Sequence, residues 1–550
     1  MNQRSLYQEA IDRIDRLVTR RHAEGLGPGL SLAITARDEL LATRSYGVAH
    51  ADTGEAVTDE TLFQIGSITK HFTAVACMRL FEQGRLDPQT PVTQYLDWFA
   101  VTSRFETPVT LHHLLTHTAG LVMMIDSYPS SWWQVWVLRN TELGFEPGTK
   151  FSYSNVGYNV LQCVIQTITG QSFDRSLRSL IFEPLGMRDT FGQITNRLYP
   201  RMAKGHKYTM HDDRPVPKPE KQAVVNWSEM SQGCGSVVTT PKDLARFLRM
   251  LLNNGRADDG TAFLSQETYD LMTHPHAVMD GFFPGTTQGY GVLIEQSDET
   301  GNKRRILGGG ENLGFEAAMV GDLDSGVGII LCNNSFDICW NEVRYGMSAL
   351  VATSQRAELP PLPEPAPAEP ASLGDKAREY VGTYRSPDTA FTIEEEEGGL
   401  VLATEEARGK LTPLWGENFI VSHPGFDHAM LTFGRNEAGQ VAEAFQLGEE
   451  YRNEHNDGSR SFDIPNAWHA YVGQYRSFGI LVTNFRIFIR KGQLVCQSFG
   501  GTVDQVLTDL GNGAFRSGDK DSPERLLFDC FANGKALRCR ASGGDFYRIE

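Results

Sequence analysis

The sequence lacks the features that mark membrane-bound and secreted proteins. It contains no apolar run of about 18 residues, the length that predicts a membrane-spanning helix. Its N-terminal stretch is charged throughout and has no apolar segment of the kind found in signal peptides. The 8 cysteines are scattered and form no Cys-x-x-Cys pair, which is typical of free thiols in a reducing compartment. We therefore expect a cytoplasmic protein without a membrane partner.

The sequence also lacks an excess of basic residues. Its formal net charge of -17 disfavours a nucleic-acid partner, because such a protein needs a basic face to meet phosphate groups. Hydrophobic residues make up 40% of the chain, which is ordinary for a globular protein. A chain of 550 residues is too long for a single core, so we expect roughly two to four domains.

A proline-rich stretch divides the chain. Prolines dominate the segment PPLPEPAPAEP between Pro360 and Pro370, which predicts a stiff, extended linker. We place this linker at residues 354–374. Residues 1–353 are predicted to form one α/β (α+β) domain on an antiparallel sheet, because strand patterns stand at both ends and helical patterns lie between them.

The region after the linker contains an internal repeat. YVGTYRS at Tyr380–Ser386 returns as YVGQYRS at Tyr471–Ser477, and short alternating segments with Gly, Asn or Asp turns follow each copy. The repeat predicts two copies of one small domain, at residues 375–458 and 466–550. Segments of this length are typical of a small antiparallel β-barrel or sandwich. The two copies could equally be no more than stabilising appendages.

A serine and a lysine at helical spacing form the first candidate catalytic pair. Apolar residues after Ser67 recur at a helical period, so Ser67 is predicted to open a buried helix. Positions i and i+3 share a helix face, so the amine of Lys70 can reach the Ser67 hydroxyl and take its proton. A helix N-terminus also offers a backbone N–H to a developing oxyanion. Ser-x-x-Lys by itself is a weak signal, because both residues are common.

A second group follows in the segment EPGTKFSYSN. The Pro-Gly pair predicts an extended loop, on which Tyr153 and Asn155 point the same way. A tyrosine near cations can act as an acid or base, and an asparagine amide can hold a substrate carbonyl. Taken alone, Tyr153 would more simply be a packing residue.

These motifs together resemble the serine β-lactamase and penicillin-binding-protein superfamily, particularly its class C β-lactamase-like branch. The matching stretches occur in the family order and lie at Gly66–Lys70, Leu111–Leu121, Pro147–Asn155, Glu183–Met187 and Gly233–Leu252. The resemblance implies a β-lactamase-like catalytic domain with Ser67 as nucleophile and Lys70 and Tyr153 as its proton-handling partners. It also implies that the histidines near Thr116 are structural, and that no metal or cofactor takes part.

The third motif of the superfamily is altered in this chain. Members carry Lys-Thr-Gly or His-x-Gly before a Gly-Phe pair, and Gly308 stands where the lysine or histidine is expected. The missing side chain disfavours carboxylate-directed chemistry and weakens a proton relay to Tyr153, unless another residue takes its place. Gly310 and Glu311 complete the motif, with the Glu311 N–H as the second oxyanion donor.

The two C-terminal repeats narrow the resemblance to the D-stereospecific aminopeptidases. That branch implies a D-aminopeptidase or D-amino-acid amidase that acts on small peptides or amides. An esterase or a weak β-lactamase of the same superfamily is the first alternative, and a non-catalytic ligand-binding relative is the second. A homodimer is left open. The apolar stretch Phe478–Asn484 of the second repeat is either a barrel strand or a cap over the catalytic cleft.

Overall fold

The computed structural model divides the chain into two compact units, formed by residues 1–207 with 222–364 and by residues 208–221 with 365–550. The structure describes residues 3–125, 130–211, 214–224, 230–279, 285–296, 304–312, 314–335, 339–364, 373–396, 399–414, 416–456, 458, 461–477, 484–498 and 504–549. The loop predicted at Phe478–Asn484 therefore lies outside the described residues, except for its last position.

The part of the chain before the linker combines ten helices and thirteen strands within the described ranges. The helices are α1 (Gln3–Leu6), α2 (Gln8–Ala23), α3 (Thr69–Glu82), α4 (Leu111–Leu115), α5 (Ser131–Trp136), α6 (Asn155–Thr169), α7 (Phe173–Leu177), α8 (Pro241–Leu252), α9 (Gln266–Thr273) and α10 (Trp340–Ser354). The strands are β1 (Gly29–Ala36), β2 (Leu40–His50), β3 (Glu55–Ala56), β4 (Phe63–Gln64), β5 (His206–His211), β6 (Arg214–Val224), β7 (Val238–Thr239), β8 (Ala277–Val278), β9 (Thr286–Gln288), β10 (Leu293–Gln296), β11 (Arg304–Asn312), β12 (Phe315–Asp322) and β13 (Val327–Asn333).

Nine of these strands form one antiparallel sheet in the order β3-β2-β1-β13-β12-β11-β10-β9-β8. Strands β1, β12 and β13 are buried along their whole length, because helices cover both faces of the sheet. One face packs against α2 and α10, and the other packs against α3, α6 and α8. The sheet brings β1 from the start of the unit beside β13 from its end, and the strands at both ends of the unit are those that the sequence predicts.

Helix α3 is the central helix of this unit. It is buried from Thr69 to Met78, and the aromatic rings of Phe72 and Phe247 pack against each other at 4.1 Å. A short 3-10 turn at Gly66–Ile68 precedes it, so Ser67 stands at the entrance to the helix. Burial on all sides fixes α3 in place, and the position of Ser67 is fixed with it.

The second unit contains two closed antiparallel barrels of eight strands each, which confirms the predicted β-barrels. The first is built from β14 (Gly382–Arg385), β15 (Ala390–Glu396), β16 (Gly399–Ala403), β17 (Arg408–Pro413), β18 (Asn418–Val421), β19 (Leu431–Arg435), β20 (Val441–Gln446) and β21 (Glu449–Arg452). The second is built from β22 (Gly473–Arg476), β23 (Asn484–Arg490), β24 (Gln493–Ser498), β25 (Gln505–Gly511), β26 (Ala514–Ser517), β27 (Arg525–Ala532), β28 (Lys535–Ala541) and β29 (Gly544–Arg548).

The repeated Tyr-Val-Gly motif has the same structural role in both barrels. In the first barrel the buried Tyr384 hydroxyl donates to the Tyr380 carbonyl at 2.9 Å, and in the second Tyr475 donates to the Tyr471 carbonyl at 2.8 Å. The barrels close where β14 meets β21 and where β22 meets β29. The repeat is therefore a repeat of structure as well as of sequence.

Two expectations about composition can be compared with the fold. The cysteines are free thiols, and most of them are buried. Among the helices that the structure describes, none is long and apolar enough to cross a membrane.

Candidate active site

Ser67 and Lys70 meet at the start of α3. The Lys70 Nζ lies 3.0 Å from the Ser67 Oγ, and Lys70 is only 4% exposed. The short strand pair β4–β7 fixes the chain before Ser67, and the Ile65 N–H donates to the Val237 carbonyl at 3.3 Å. The structure therefore brings the predicted pair into hydrogen-bond contact.

Lys70 has an acceptor for each proton of an ammonium group. Its Nζ donates to the Ser67 Oγ, to the Asn155 Oδ1 at 2.7 Å and to the Cys234 carbonyl at 2.9 Å. A neutral Lys70 can keep the bonds to Asn155 and Cys234 and turn its lone pair toward the serine hydroxyl. The geometry thus suits an amine that alternates between accepting and holding the Ser67 proton.

Tyr153 approaches the same hydroxyl from a different part of the chain. Its hydroxyl lies 2.8 Å from the Ser67 Oγ, and the Lys70 Nζ lies 4.8 Å from the centre of its ring. The Tyr153 hydroxyl and the Lys70 Nζ both donate to the Ser67 Oγ. The three polar groups form one connected hydrogen-bonded cluster.

The loop that carries Tyr153 is held by His117. The Ser154 N–H donates to the His117 Nδ1 at 3.1 Å, and the Ser152 N–H donates to the His117 carbonyl at 2.8 Å. The His117 ring packs beneath the Tyr153 ring with 4.5 Å between centroids. Burial, together with the charge of Lys70, holds the pKa of His117 well below its usual value. A neutral His117 can therefore accept the Ser154 N–H and position Tyr153.

The extended loop is shorter than the sequence predicts, because Asn155 is already the first residue of α6. Ser154 caps the helix through its Oγ, which accepts the Gly157 N–H at 3.1 Å. The Asn155 amide oxygen binds Lys70, and its Nδ2 lies 3.9 Å from the Met124 Sδ. The Asn155 amide group can still donate to a substrate carbonyl, as the sequence suggests.

Strand β11 supplies backbone to the other side of Ser67. A Cβ on Gly310 would overlap the Ile65 carbonyl oxygen and would lie 2.6 Å from the Ser67 nitrogen. Gly66 has a φ of +47°, and a Cβ there would lie 2.6 Å from the Glu311 nitrogen. Only glycine permits such close contact, so both positions require it. The backbone around Ser67 and the backbone around Glu311 are thereby in close contact.

Among the described residues, this part of β11 has no paired strand on one of its edges. Strand β10 pairs with β11 only from Arg304 to Leu307, so β10 leaves the stretch from Gly308 to Asn312 uncovered. An unpaired strand edge offers backbone N–H and C=O groups to an extended ligand. A peptide-like substrate can therefore lie along β11 beside Ser67.

Gly308 lies one turn of α3 away from Ser67, next to His71. A Cβ on Gly308 would be 3.3 Å from the His71 ring and 3.1 Å from the Met319 methyl group. The His71 Nε2 lies 3.1 Å from the Leu307 carbonyl. Burial lowers the pKa of His71 to about 4, so the ring is neutral at pH 7. The His71 ring of α3 therefore borders the space that a side chain at position 308 of β11 would occupy.

Sequence reasoning missed two contributors to the site. The Cys234 carbonyl accepts from Lys70, but a backbone acceptor leaves no signature in residue type. The segment that contains Cys234 is held against α3 because the Thr73 Oγ1 donates to the Gly233 carbonyl at 2.6 Å. The second contributor is His71, whose position next to Gly308 could not be inferred without the register of β11 against α3.

The other histidines of this region make protein contacts. The His112 Nδ1 lies 2.8 Å from the Tyr290 hydroxyl, and burial lowers the pKa of His112 to about 4. His113 completes the capping box at Thr110, at the start of α4. Among the described residues, no group of three His, Cys, Asp or Glu side chains is arranged to hold a metal ion.

Comparison with known proteins agrees with this geometry. The family model described as Beta-lactamase matches residues 14–338. The chain belongs to the β-lactamase family. It is similar to penicillin-binding protein 4 of Amycolatopsis lactamdurans, with 34% identity over 268 residues that cover 48% of this chain and 68% of that protein.

Two further relatives show the range of this serine hydrolase family. The chain is similar to the esterase EstB of Burkholderia gladioli, with 33% identity over 180 residues that cover 29% of this chain and 46% of the esterase. The structure of the octameric penicillin-binding protein homologue from Pyrococcus abyssi matches with a TM-score of 0.53 and 19% identity. That match covers 80% of this chain and 99% of the homologue, and it shows a common fold.

Proposed function

We propose that this chain hydrolyses its substrate through a covalent acyl-enzyme on Ser67. The observation that carries the proposal is the position of the Ser67 Oγ, which lies 3.0 Å from the Lys70 Nζ and 2.8 Å from the Tyr153 hydroxyl. A serine hydroxyl becomes an effective nucleophile when a neighbouring base takes its proton. Two such neighbours are in contact with it.

The proposed reaction has two stages. The Ser67 Oγ attacks the substrate carbonyl carbon while its proton passes to the Lys70–Tyr153 pair, and the Ser67 and Glu311 N–H groups stabilise the oxyanion. The bond to the leaving group then breaks, and the leaving group takes that proton. In the second stage a water molecule gives a proton to the same pair and attacks the ester carbonyl carbon. The bond between that carbon and the Ser67 Oγ then breaks, the Oγ takes the proton from the pair, and the acid is released.

We further propose that the substrate is a short peptide or amide with an N-terminal D-residue. The open edge of β11 between Gly308 and Asn312 can pair with an extended peptide backbone. Position 308 has no cationic side chain, which disfavours recognition of a C-terminal carboxylate. A catalytic unit followed by two related barrels resembles the D-stereospecific aminopeptidases in layout.

An esterase is the second candidate, and one surface favours it. Met123 is 47% exposed, and the neighbouring Met124 Sδ lies 3.9 Å from the Asn155 Nδ2. Apolar groups near the Ser67 site would favour substrates with apolar acyl or alcohol groups. Membership of an esterase in the same family supports this alternative.

A hydrolysis panel separates these candidates. It would compare D- and L-alanine p-nitroanilide, p-nitrophenyl esters of increasing chain length and a chromogenic cephalosporin, each with the wild type and with Ser67→Ala. We expect the highest kcat/KM on the D-alanine anilide and no turnover by Ser67→Ala. Turnover of the esters alone would favour the esterase. If no substrate is turned over and no adduct forms on Ser67, the chain is a non-catalytic relative.

A further inference from the structure

The two barrels contain equivalent aromatic clusters at one end. In the first barrel, Tyr380 packs edge-on against Phe419 at 5.1 Å and Phe433 at 5.0 Å. In the second barrel, the rings of Phe515 and Phe528 lie 5.3 Å and 4.7 Å from Tyr471. Tyr380 and Tyr471 begin the two copies of the repeated motif, so the clusters correspond residue by residue.

In the first barrel an ion-pair cluster covers this aromatic end. The Tyr380 hydroxyl donates to the Glu417 carboxylate at 2.8 Å, and the Arg435 guanidinium lies 5.8 Å from the Tyr380 ring centre. Arg435 also pairs with Glu417 at 2.8 Å and with Glu379 at 2.7 Å. An aromatic face and two carboxylates therefore hold one guanidinium group.

The second barrel lacks a counterpart of Glu417 and of Arg435. The Phe433 N–H donates to the Glu417 carbonyl at 2.9 Å, and the Phe528 N–H donates to the Gly513 carbonyl at 2.9 Å, so Gly513 stands in the place of Glu417. A Cβ on Gly513 would lie 3.5 Å from the Tyr471 hydroxyl, so this position points at that hydroxyl. Arg435 follows Phe433 by two residues, and the residue two after Phe528 is Cys530.

A pocket remains where the first barrel has its ion pair. It has a volume of about 370 Å³, and its walls include Trp468, Tyr471, Phe531 and Asp509. Phe531 is 56% exposed, and its ring lies 6.2 Å from the Tyr471 ring, centroid to centroid. Among the described residues, the Tyr471 hydroxyl has no hydrogen-bond partner of the kind that Glu417 provides for Tyr380.

Asp509 supplies the negative charge in this pocket. One of its carboxylate oxygens accepts the Trp468 Nε1–H at 3.2 Å and the other accepts the Gly511 N–H at 2.7 Å, so its place beside the rings is fixed. A carboxylate has about four acceptor sites, and two of them remain for a ligand. Burial raises the pKa of the Tyr471 hydroxyl, and the charge of Asp509 raises it further, in keeping with a carboxylate close to that ring.

We propose that the end of the second barrel binds a guanidinium group, such as an arginine side chain of a peptide, between its aromatic walls and Asp509. The first barrel shows the arrangement with its own Arg435 in place, and the second has the aromatic rings and a carboxylate, with no lysine or arginine among the described residues that line the pocket. The proposal does not depend on the proposed hydrolysis at Ser67. It gives the second barrel a binding role.

Binding can be tested by isothermal titration of the full-length protein with Nα-acetyl-L-arginine methylamide. The matched probe is Nα-acetyl-L-citrulline methylamide, which has nearly the same shape but no charge. We expect the arginine probe to bind at least about tenfold more tightly than the citrulline probe, because a charged hydrogen bond and a cation–π contact are lost. Equal affinity for the two probes, or no arginine binding, would overturn the proposal.

Two variants locate the binding. Asp509→Asn keeps a side-chain acceptor for the Gly511 N–H and should weaken arginine binding about tenfold or more. Asp521→Asn removes the same charge from a residue of this barrel that does not line the pocket, and should leave binding unchanged. Equal loss in both variants would point to the net charge of the barrel, and no loss in Asp509→Asn would place the binding elsewhere. Either result rejects the site.

Discussion

The Ser67 site has two sides that are built in different ways. On one side, Lys70, Tyr153 and Asn155 contribute side chains that are connected by hydrogen bonds of 2.7 to 3.0 Å. On the other side, Gly310 and the Glu311 N–H of β11 contribute backbone alone. Proton transfer needs side chains with titratable groups, whereas an oxyanion needs only N–H groups held in place. On this comparison, β11 comes close to Ser67 because Gly310 has no side chain.

The largest effect on activity is expected from removing the side chains of Lys70 and Tyr153. Lys70→Ala and Tyr153→Phe should each lower kcat on the order of 10²–10⁴-fold, the usual contribution of general acid–base catalysis. Because the two groups share one hydroxyl proton, the double variant should lose far less than the product of the single losses. Steady-state kinetics on the best substrate of the panel measures this, with the exposed Lys150→Ala as the control. Near-wild-type turnover in both single variants would reject the coupled pair.

The backbone side should respond to a single methyl group. In Gly310→Ala the new Cβ meets backbone atoms of Ile65 and Ser67, which cannot move without shifting the nucleophile. We expect kcat/KM to fall on the order of 10²-fold, the contribution of one oxyanion donor. In Gly308→Ala the Cβ meets only the side chains of His71 and Met319, so the loss should be much smaller. Equal losses, with both proteins folded by circular dichroism, would show that β11 does not act through close approach.

Gly308→His should change kcat less than Gly310→Ala does, and it tests the same strand, β11. The sequence alone favours a gain in kcat from Gly308→His, because it would restore the side chain of the family motif. The structure changes this expectation, since the His71 ring lies 3.3 Å from where the new Cβ would be. We expect Gly308→His to lower kcat roughly tenfold, since two rings compete for one space and strain of about 1–3 kcal/mol follows. A higher kcat on a D-alanyl substrate would show that the space is available after all.

The smallest effect concerns stability and the neutral His71 beside β11. Its pKa is about 4 in the fold, against 6.5 for a free histidine, so the unfolded chain binds more protons between these values. The free energy of unfolding should therefore fall as the pH drops from 6.5 to 4, with about 2–3 kcal/mol due to this residue. Urea unfolding of the wild type and of His71→Asn at pH 7.5 and 4.5 measures the difference. The same pH dependence in both proteins would contradict a buried, neutral His71.

The sequence predicts the side-chain side of the site much better than the backbone side. Ser67 and Lys70 are recognisable because their spacing fits a helix, and Tyr153 and Asn155 follow in family order. The contact of β11 with α3 depends on strand register and packing, and Gly308 carries no side chain whose chemistry could reveal its neighbour. The Cys234 carbonyl is likewise invisible in residue type.

A similar limit applies to the fold. The repeat of Tyr-Val-Gly predicts two related barrels, and both are present. The sequence predicts an extended loop that includes Asn155, whereas α6 already begins at Asn155, because the Ser154 Oγ accepts the Gly157 N–H and caps the helix. The pocket of the second barrel could not be anticipated either. It exists because Gly513 occupies the position that Glu417 has in the first barrel, and only the pairing of the strands shows that the two positions are equivalent.

The most direct test of the account is the search for a covalent adduct on Ser67. The protein would be incubated with a slowly hydrolysed activated ester and analysed by intact-mass spectrometry, followed by peptide mapping. The account predicts a mass increase of one acyl group on the wild type, located on the peptide that contains Ser67 and absent from Ser67→Ala. An adduct that persists in Ser67→Ala, or that maps to another residue, would contradict the central claim.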